Sequence, residues 1–226
     1  PNDYEQGWVT RAAIDQLFAP AMPSAYGIEK RGVPPCRAAC PLHVNAQGYV
    51  ALISVGKFKE ALALVRDKLP FPRILAYTCS HPCEWECKRM EEDRPIAICQ
   101  LKKFLVENVD ESELEMTPPQ ENGKKVAIIG AGPAGLMAAH DLRRMGYHVT
   151  LFDAQNRMGG LLANGFPSYR LPKHVVEKDL AIIEKMGIEV QLGKRIGRDV
   201  TSDDLRKSFD AIFVATGVSG TDCMIQ

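Results

Sequence analysis

A glycine-rich turn between an apolar strand and a helix constrains the fold of this chain more than any other feature. The pattern G-x-G-x-x-G comes directly after the apolar run VAIIG. Glycines at these places allow a tight turn, a close backbone approach to a pyrophosphate group and close packing of the following helix. An acidic residue ends the next predicted strand, where its carboxylate is expected to bind ribose hydroxyls. The sequence therefore predicts a dinucleotide site, with glycines that serve packing alone as the alternative. The predicted cofactor-binding residues here are Gly130, Gly132, Pro133, Ala134, Gly135 and Asp153.

The residues around this turn alternate between apolar strands and amphipathic helices. Such alternation indicates a parallel sheet covered by helices on both faces. The predicted strands are 126–130, 148–153, 188–192 and 211–217, and the predicted helices are 134–145, 172–186 and a short one after Ser202. This part of the chain is therefore predicted to be an α/β Rossmann-like domain that is incomplete at its C-terminus.

The residues before position 124 have helical patterns and no strand signal. Apolar residues recur at helical spacing from Tyr49 to Lys68, and Gly56 is predicted to divide this stretch into two helices. A further helix is predicted to begin at Pro95, because the fixed φ of proline suits a first helical turn. The predicted division of the chain is an α-helical domain over 1–115, a polar, proline-bearing linker over 116–124 and the Rossmann-like domain over 125–226.

Charge and hydropathy argue against several classes of protein. The chain has 28 Lys plus Arg and 28 Asp plus Glu, so no overall field draws it to nucleic acid or to an acidic membrane surface. No apolar run reaches the roughly 18 residues that a membrane helix needs, and the N-terminal residues lack a signal-peptide pattern. No nucleophile elbow or paired carboxylates indicate a hydrolase. We therefore expect a cytoplasmic protein with no nucleic acid partner and no membrane span.

Six of the seven cysteines fall within a stretch of 64 residues. Thiolates at such spacing suit an iron–sulfur cluster, because helical turns and tight loops can bring sulfurs from different segments together. Zinc sites usually carry C-x-x-C pairs, whereas three residues separate neighbouring cysteines in both motifs here. The spacing favours iron–sulfur and leaves zinc as an alternative. The six candidate metal ligands are Cys36, Cys40, Cys79, Cys83, Cys87 and Cys99.

The residues after Asp153 carry a resemblance to a known flavoprotein family. The double glycine within RMGGLL, the run GFPSYRLP at 165–172 and the turn ATG at 215–217 resemble the FAD domain of the small-subunit family of bacterial glutamate synthase. The same unit is similar to the flavin domain at the N-terminal end of dihydropyrimidine dehydrogenase. The resemblance implies FAD as the bound dinucleotide. The residues that it places close to the flavin are Gly159, Gly160, Leu161, Thr216 and Gly217.

The resemblance also covers the cysteines, from Pro35 to Glu107. Residues 95–104, PIAICQLKKF, match a helix that reads P-I-x-I-x-x-L-x-x-F in this family, which normally builds two four-iron clusters. Two departures alter that expectation. Ile28 and Arg31 stand where the family has a C-x-x-C pair, and Lys102 stands where it often has a Glu or Gln ligand.

With these departures, the resemblance implies one 4Fe-4S cluster and leaves a second one possible. Cys99 lies one helical turn before Lys102 on the same predicted face and would replace the missing ligand. Cys36 and Cys87 would be spare thiols, ligands completed by a partner chain, or ligands of an altered second cluster. The ligands of the expected cluster are Cys40, Cys79, Cys83 and Cys99. Weaker candidate ligands are His43 and His81.

The function that the resemblance implies is electron transfer between FAD and the cluster, to or from a partner enzyme. The partner would be a larger redox enzyme subunit or the remainder of a longer chain. In the family, NAD(P)H reduces the flavin from a second dinucleotide domain, so NAD(P)H is expected here only if a further domain or subunit supplies its site. Two other functions stay open: a non-catalytic docking or scaffold module, and a zinc-stabilised dinucleotide-binding enzyme.

Overall fold

The computed structural model describes residues 32–110 and 120–217 of the 226-residue chain. The chain divides into two compact units, Pro1–Leu114 (unit 1) and Glu115–Gln226 (unit 2). Ile28 and Arg31, where the family resemblance departs, lie outside the described residues, as do residues 116–119 of the predicted linker. The domain bounds given above stay a prediction.

Unit 1 is helical throughout the part that the structure describes. None of the helices in the described ranges is long and apolar enough to cross a membrane. The helices of unit 1 are α1 (Pro35–Ala38), α2 (Ala46–Ser54), α3 (Phe58–Arg66), α4 (Pro72–Thr78), α5 (Pro82–Trp85), a 3-10 turn (Lys88–Glu91) and α6 (Ile98–Asn108).

Helices α2, α3 and α6 form the core of unit 1. Leu62 and Val65 of α3 are completely buried, because their spacing places both on one face of the helix. Gly56, with a φ of +76°, lies between α2 and α3 and confirms the predicted division of this stretch into two helices. Tyr49 of α2 is 2% exposed, and its hydroxyl donates to the carbonyl of Ile98 in α6 at 3.0 Å. The first turn of α6 is thus fixed to the core.

Helix α6 begins at Ile98 and not at Pro95, where the sequence predicts its start. Ala97, with φ −72° and ψ 63°, has a non-helical backbone. The carboxylate of Glu84 accepts the amide hydrogen of Cys99 at 2.8 Å. A side chain from another segment therefore satisfies one of the amides that the start of a helix leaves without a partner. The predicted start at Pro95 is wrong because the backbone does not become helical until after Ala97.

Unit 2 contains a four-stranded parallel sheet with the strand order β3-β2-β1-β4. Its strands and its three predicted helices follow one another in the predicted order, and the α/β Rossmann-like fold class is confirmed. The sequence does not predict the short helix at Leu161–Asn164. In chain order the elements are β1 (Lys125–Ile129), α7 (Pro133–Arg144), β2 (His148–Phe152), α8 (Leu161–Asn164), α9 (Lys173–Lys185), β3 (Glu189–Gln191), α10 (Ser202–Ser208) and β4 (Ala211–Val214).

The register of the sheet brings the carboxyl ends of three strands together. Ile129 of β1 lies opposite Phe152 of β2 and opposite Val214 of β4. Strand β1 is one of the two inner strands and its middle residues are buried, with Ile128 at 0% exposure, whereas Val214 on the outer strand β4 is 65% exposed. In open parallel sheets, ligands bind at this carboxyl edge, next to the loops that follow the strands.

Candidate functional site

The turn after β1 has a backbone that only glycine can adopt. Gly130 has a φ of +114°, and its amide donates to the carbonyl of Phe152 at 2.7 Å. A Cβ at this position would lie 2.2 Å from the carbonyl oxygen of Ala215. Gly130 therefore lets the chain turn while it lies between the ends of β2 and β4.

The start of helix α7 packs directly on this turn. A Cβ at Gly135 would lie 1.8 Å from the carbonyl oxygen of Gly130, so only glycine permits this packing. Gly132, which precedes Pro133 and Ala134 at the start of α7, instead faces open space, since a Cβ there would meet nothing within 4 Å. Helix N-termini carry partial positive charge and amide donors, so this opening suits a phosphate group.

Asp153 lies at the same edge and binds the glycine-rich turn. Its Oδ2 accepts the amide hydrogen of Ala131 at 2.6 Å, and its Oδ1 accepts that of Gln155 at 2.7 Å. A carboxylate oxygen has lone pairs for further hydrogen bonds, so these contacts leave room for a ribose hydroxyl. The sequence does not predict the bond to Ala131, because every residue except proline has a backbone amide and a residue type does not show which amide is bound.

The double glycine packs against the turn from the other side. The amide of Gly159 donates to the carbonyl of Ala131 at 2.8 Å. Gly160 has a φ of +50°, and a Cβ there would lie 2.9 Å from the Cα of Gly132. Leu161 follows as the first residue of α8 and is 57% exposed at this edge. We call Gly130, Gly132, Gly135, Gly159 and Gly160 the glycine edge.

The ATG turn after β4 completes the arrangement. The amide of Ala215 donates to the carbonyl of Ile129 at 2.8 Å, so the turn continues the pairing of β4 with β1. A Cβ at Gly130 would lie 3.2 Å from the Cα of Thr216, and Gly217 has a φ of +61°. The structure therefore brings the predicted cofactor-binding residues of unit 2 together at one edge of the sheet. Open space over Gly132 and tightly packed glycines around it fit a bound dinucleotide.

A groove of about 300 Å³ lies beside α9, where the sequence predicts none. Arg157 and Met158 line it from the loop before the double glycine, and Lys173 and Leu180 line it from α9. No motif marks this groove in the sequence, because its lining comes from two segments that are separate in the chain. The groove is lined by both polar and apolar side chains, and one of them, Leu180, also lies beside Gly159 of the glycine edge.

The six cysteines of unit 1 within the described residues are free thiols carried by several segments. Cys36 lies in α1, Cys79 follows the last residue of α4, Cys83 lies in α5 and Cys99 lies in the first turn of α6. Cys99 is buried and the other five are half-buried. The remaining two cysteines, Cys40 and Cys87, lie in the turns after α1 and α5.

Four of these thiols influence one another electrostatically. A hydrogen bond between Cys79 and Cys99 holds the pKa of the Cys79 thiol well below its ordinary value and raises the pKa of Cys99. Burial raises the pKa of Cys83 to about 11, and the nearby Cys79 and Cys40 add to this rise. We call Cys40, Cys79, Cys83 and Cys99 the thiol quartet.

The other two thiols form a separate pair. Burial raises the pKa of the Cys36 thiol, which is also within electrostatic reach of Cys87. The electrostatic interactions between pairs of thiols agree with the division into a group of four and a group of two that the family resemblance implies. The assignment of either group as metal ligands stays a prediction.

Tyr49 and His81 lie near the cysteine sulfurs, and His43 bonds elsewhere. Burial raises the pKa of the Tyr49 hydroxyl, and the sulfurs of Cys83, Cys99, Cys36 and Cys40 add to this rise. The amide of His81 donates to the Cys79 sulfur at 3.2 Å, and its ring Nδ1 lies 3.1 Å from the Cys79 carbonyl oxygen. The ring of His43 bonds the backbone of Arg37 instead, with 3.2 Å between Nδ1 and the carbonyl oxygen.

Within the described residues, no three Cys, His, Asp or Glu side chains stand close enough to hold a single metal ion. A four-iron cluster makes a different demand, because each thiolate binds a different iron and the sulfurs need not converge on one point. Soft thiolates are the ligands that iron–sulfur clusters take. The donor set of the quartet, four half-buried or buried thiols from separate segments, therefore fits such a cluster.

Two family models match the chain in the order of its two units. The model of dihydropyrimidine dehydrogenase domain II, 4Fe-4S cluster, matches residues 29–114. The model of the NAD(P)-binding Rossmann-like domain matches residues 128–190. The first match contains all six candidate ligands, and the second contains the glycine edge.

Curated relatives cover both units at once. The NADP(+)-dependent formate dehydrogenase subunit beta of Moorella thermoacetica is 38% identical over 84% of this chain and 30% of its own length. The glutamate synthase [NADPH] small chain of Bacillus subtilis is 34% identical over 80% of this chain and 37% of its own length. The NAD-dependent dihydropyrimidine dehydrogenase subunit PreT of Escherichia coli K12 is 34% identical over 82% of this chain and 46% of its own length. The chain thus spans less than half the length of each of these relatives.

Proposed function

Since this chain belongs to the family of the glutamate synthase small chain and the related iron–sulfur and flavin region of dihydropyrimidine dehydrogenase, we propose that it is the electron-transfer module of an oxidoreductase. Electrons would pass between FAD at the glycine edge and a 4Fe-4S cluster at the thiol quartet. The observation that carries the proposal is the match of residues 29–114, which carry the four electrostatically interacting thiols, to a 4Fe-4S domain, next in sequence to a dinucleotide edge.

The residues of unit 2 hold the dinucleotide by its phosphates and its ribose. The open backbone at Gly132 and the start of α7 at Pro133 and Ala134 receive the pyrophosphate, and the carboxylate of Asp153 accepts from the ribose. The residues that lie closest to the flavin are Gly159, Gly160, Leu161, Thr216 and Gly217. FAD, when bound, supplies the chemistry of exchanging electrons both in pairs and singly.

The thiol quartet holds one cluster, and the pair of Cys36 and Cys87 makes a second one possible. The core of unit 1 keeps the quartet in place, because α6 carries Cys99 and is fixed to Tyr49. The half-buried position of the sulfurs limits access of water, which is one of the properties that sets a cluster's potential.

The share of its relatives that the chain covers supports a proposal about its partner. We propose that a larger redox enzyme subunit, or the remainder of a longer chain, delivers or receives the electrons. NAD(P)H is the reductant if such a subunit or domain supplies its site, as the names of the NADP(+)-, NADPH- and NAD-dependent relatives suggest. A cytoplasmic location belongs to the same proposal, because six unpaired cysteines suit a reducing compartment.

The test is a quantification of iron, sulfide and flavin on one anaerobic sample of the chain, with its visible and paramagnetic-resonance spectra. We expect about four irons and one flavin per chain. About eight irons would add a second cluster at Cys36 and Cys87. Zinc without iron, or the absence of flavin after reconstitution with FAD, would contradict the proposal.

A further inference from the structure

Lys102 is a charged side chain buried beside the thiol quartet. It is 7% exposed, and its Nζ donates to the carbonyl of Leu75 at 3.2 Å. A lysine ordinarily carries a positive charge at neutral pH, and burying a charge is costly unless a partner compensates for it. One backbone carbonyl compensates for only part of a full charge.

Sulfurs of the thiol quartet are close enough to Lys102 to compensate for its positive charge. The Sγ of Cys99 lies 3.9 Å from the carbonyl oxygen of Ala76, the residue after Leu75. Lys102 and Cys99 thus both reach the last turn of α4, and Cys79 directly follows this helix. Lys102 is within electrostatic reach of the sulfurs of Cys79, Cys83 and Cys99.

We propose that Lys102 raises the reduction potential of the four-iron cluster held by the thiol quartet, by placing a fixed positive charge next to it. This inference rests on the function proposed above. The cluster with its four thiolates gains one negative charge when it accepts one electron. A neighbouring cation therefore stabilises the reduced form more than the oxidised form. Because Lys102 is buried, salt in the solvent screens this interaction only weakly.

A purely structural role for Lys102 predicts something different. A lysine that donates to the last carbonyls of a helix stabilises the end of that helix. Its removal would then lower the melting temperature of the protein without changing the potential of the cluster. The potential is therefore the measurement that separates the two roles.

The experiment is a redox titration of the cluster-loaded full chain, followed by paramagnetic resonance. Lys102→Met removes the charge and keeps an unbranched side chain. We expect the equilibrium constant for one-electron reduction to fall about tenfold, which is about 59 mV toward lower potential. Lys102→Arg keeps the charge, so its potential should stay near that of the wild type. The matched control is Lys103→Met, which removes the neighbouring lysine that pairs with Glu107, and its potential should not change. An unchanged potential in Lys102→Met would overturn the proposal and leave Lys102 as a helix cap.

A second variant keeps the proposal testable if Lys102→Met does not fold. The carboxylate of Glu84 is within electrostatic reach of Cys83 and Cys99. Glu84→Gln removes that negative charge and keeps an oxygen that can accept the amide hydrogen of Cys99. In this variant the equilibrium constant for one-electron reduction of the cluster should rise by a similar factor. An unchanged potential would contradict control of the cluster's potential by fixed charges beside the thiol quartet. A wild-type chain that holds neither iron nor sulfide would overturn the proposed function itself, whereas an unchanged potential on a loaded cluster would overturn this inference alone.

Discussion

The glycine edge of unit 2 is formed by closely packed backbone atoms, whereas the thiol quartet of unit 1 is formed by side chains from separate segments. At the glycine edge, carbonyls and Cα atoms lie where side chains would otherwise stand, as at Gly130 and Gly160. At the quartet, the positions of Cys79 and Cys99 depend on the ends of α4 and α6. The backbone contacts give the first region its shape without a ligand, whereas under the proposed function the second gains its full set of bonds only with a metal cluster.

The largest expected effect comes from a side chain at the most closely packed glycine. Gly135→Val would place a Cβ 1.8 Å from the Gly130 carbonyl oxygen, so we expect unit 2 to lose flavin and to be destabilised by several kcal/mol. Thermal unfolding and flavin content measure this. The matched control is Gly132→Ala, whose Cβ meets open space and which should fold normally while binding flavin more weakly. Normal flavin binding by Gly135→Val would contradict a backbone-built site.

The thiol quartet should respond to the loss of one side chain while unit 2 does not. Cys99→Ala removes a buried thiol of the quartet, so we expect it to lose the cluster or to convert it to a form with less iron. Cys36→Ala removes a thiol outside the quartet, so this variant should keep the iron of the cluster that the quartet holds. Iron, sulfide and flavin are measured on both variants, and flavin content should be normal in each. The reverse result for the two cysteines would overturn the ligand assignment.

A smaller effect is expected at Asp153, where a side chain supports the glycine edge. Asp153→Asn replaces one carboxylate oxygen by an NH₂ group, which would face the amide of Ala131 or that of Gln155, donor against donor. We expect flavin to bind about tenfold more weakly, a loss of about 1.4 kcal/mol. Flavin fluorescence titration measures this. Asp199→Asn, which changes a surface carboxylate paired with Arg198, is the control and should bind flavin normally.

The smallest expected effect lies away from both regions, at the start of α10. Thr201 and Asp204 form a capping box, with 3.1 Å between the Asp204 amide and the Thr201 hydroxyl oxygen. Thr201→Ala should lower the melting temperature by a few degrees, because the start of α10 loses its cap. Iron and flavin contents should be unchanged. A loss of either cofactor would show that the start of α10 is coupled to the site that binds that cofactor.

The same difference explains how much of each region could be predicted from the sequence. The glycine edge could be predicted in detail, because Gly130, Gly132 and Gly135 act within one strand–turn–helix segment. The contacts of the Ala131 backbone with the Asp153 carboxylate and with the Gly159 amide could not, since both partners lie in segments distant in sequence. The fold class of unit 2 was predictable for the same reason, because apolar strands and amphipathic helices carry local patterns.

Unit 1 depends more on contacts between segments, and less of it could be predicted. The cysteine spacing indicated thiol ligands, but it could not show that the Glu84 carboxylate binds the amide of Cys99 or that α6 begins at Ile98. Helices α1 and α5 have four residues each, too few for a helical period to be recognised. The burial of Lys102 could not be predicted either, because its place in the helix gives no sign of the carbonyl that it reaches.

The most direct test of the central claim is to illuminate the flavin of the full chain anaerobically, with a sacrificial donor, while the cluster is followed by paramagnetic resonance. Because the light acts on the flavin, a reduced-cluster signal has to come from electrons that leave it. We predict that this signal grows during illumination and is absent in Cys83→Ser. A flavin that becomes fully reduced beside a cluster that dithionite can reduce, but that gives no signal under light, would contradict electron transfer between the two sites.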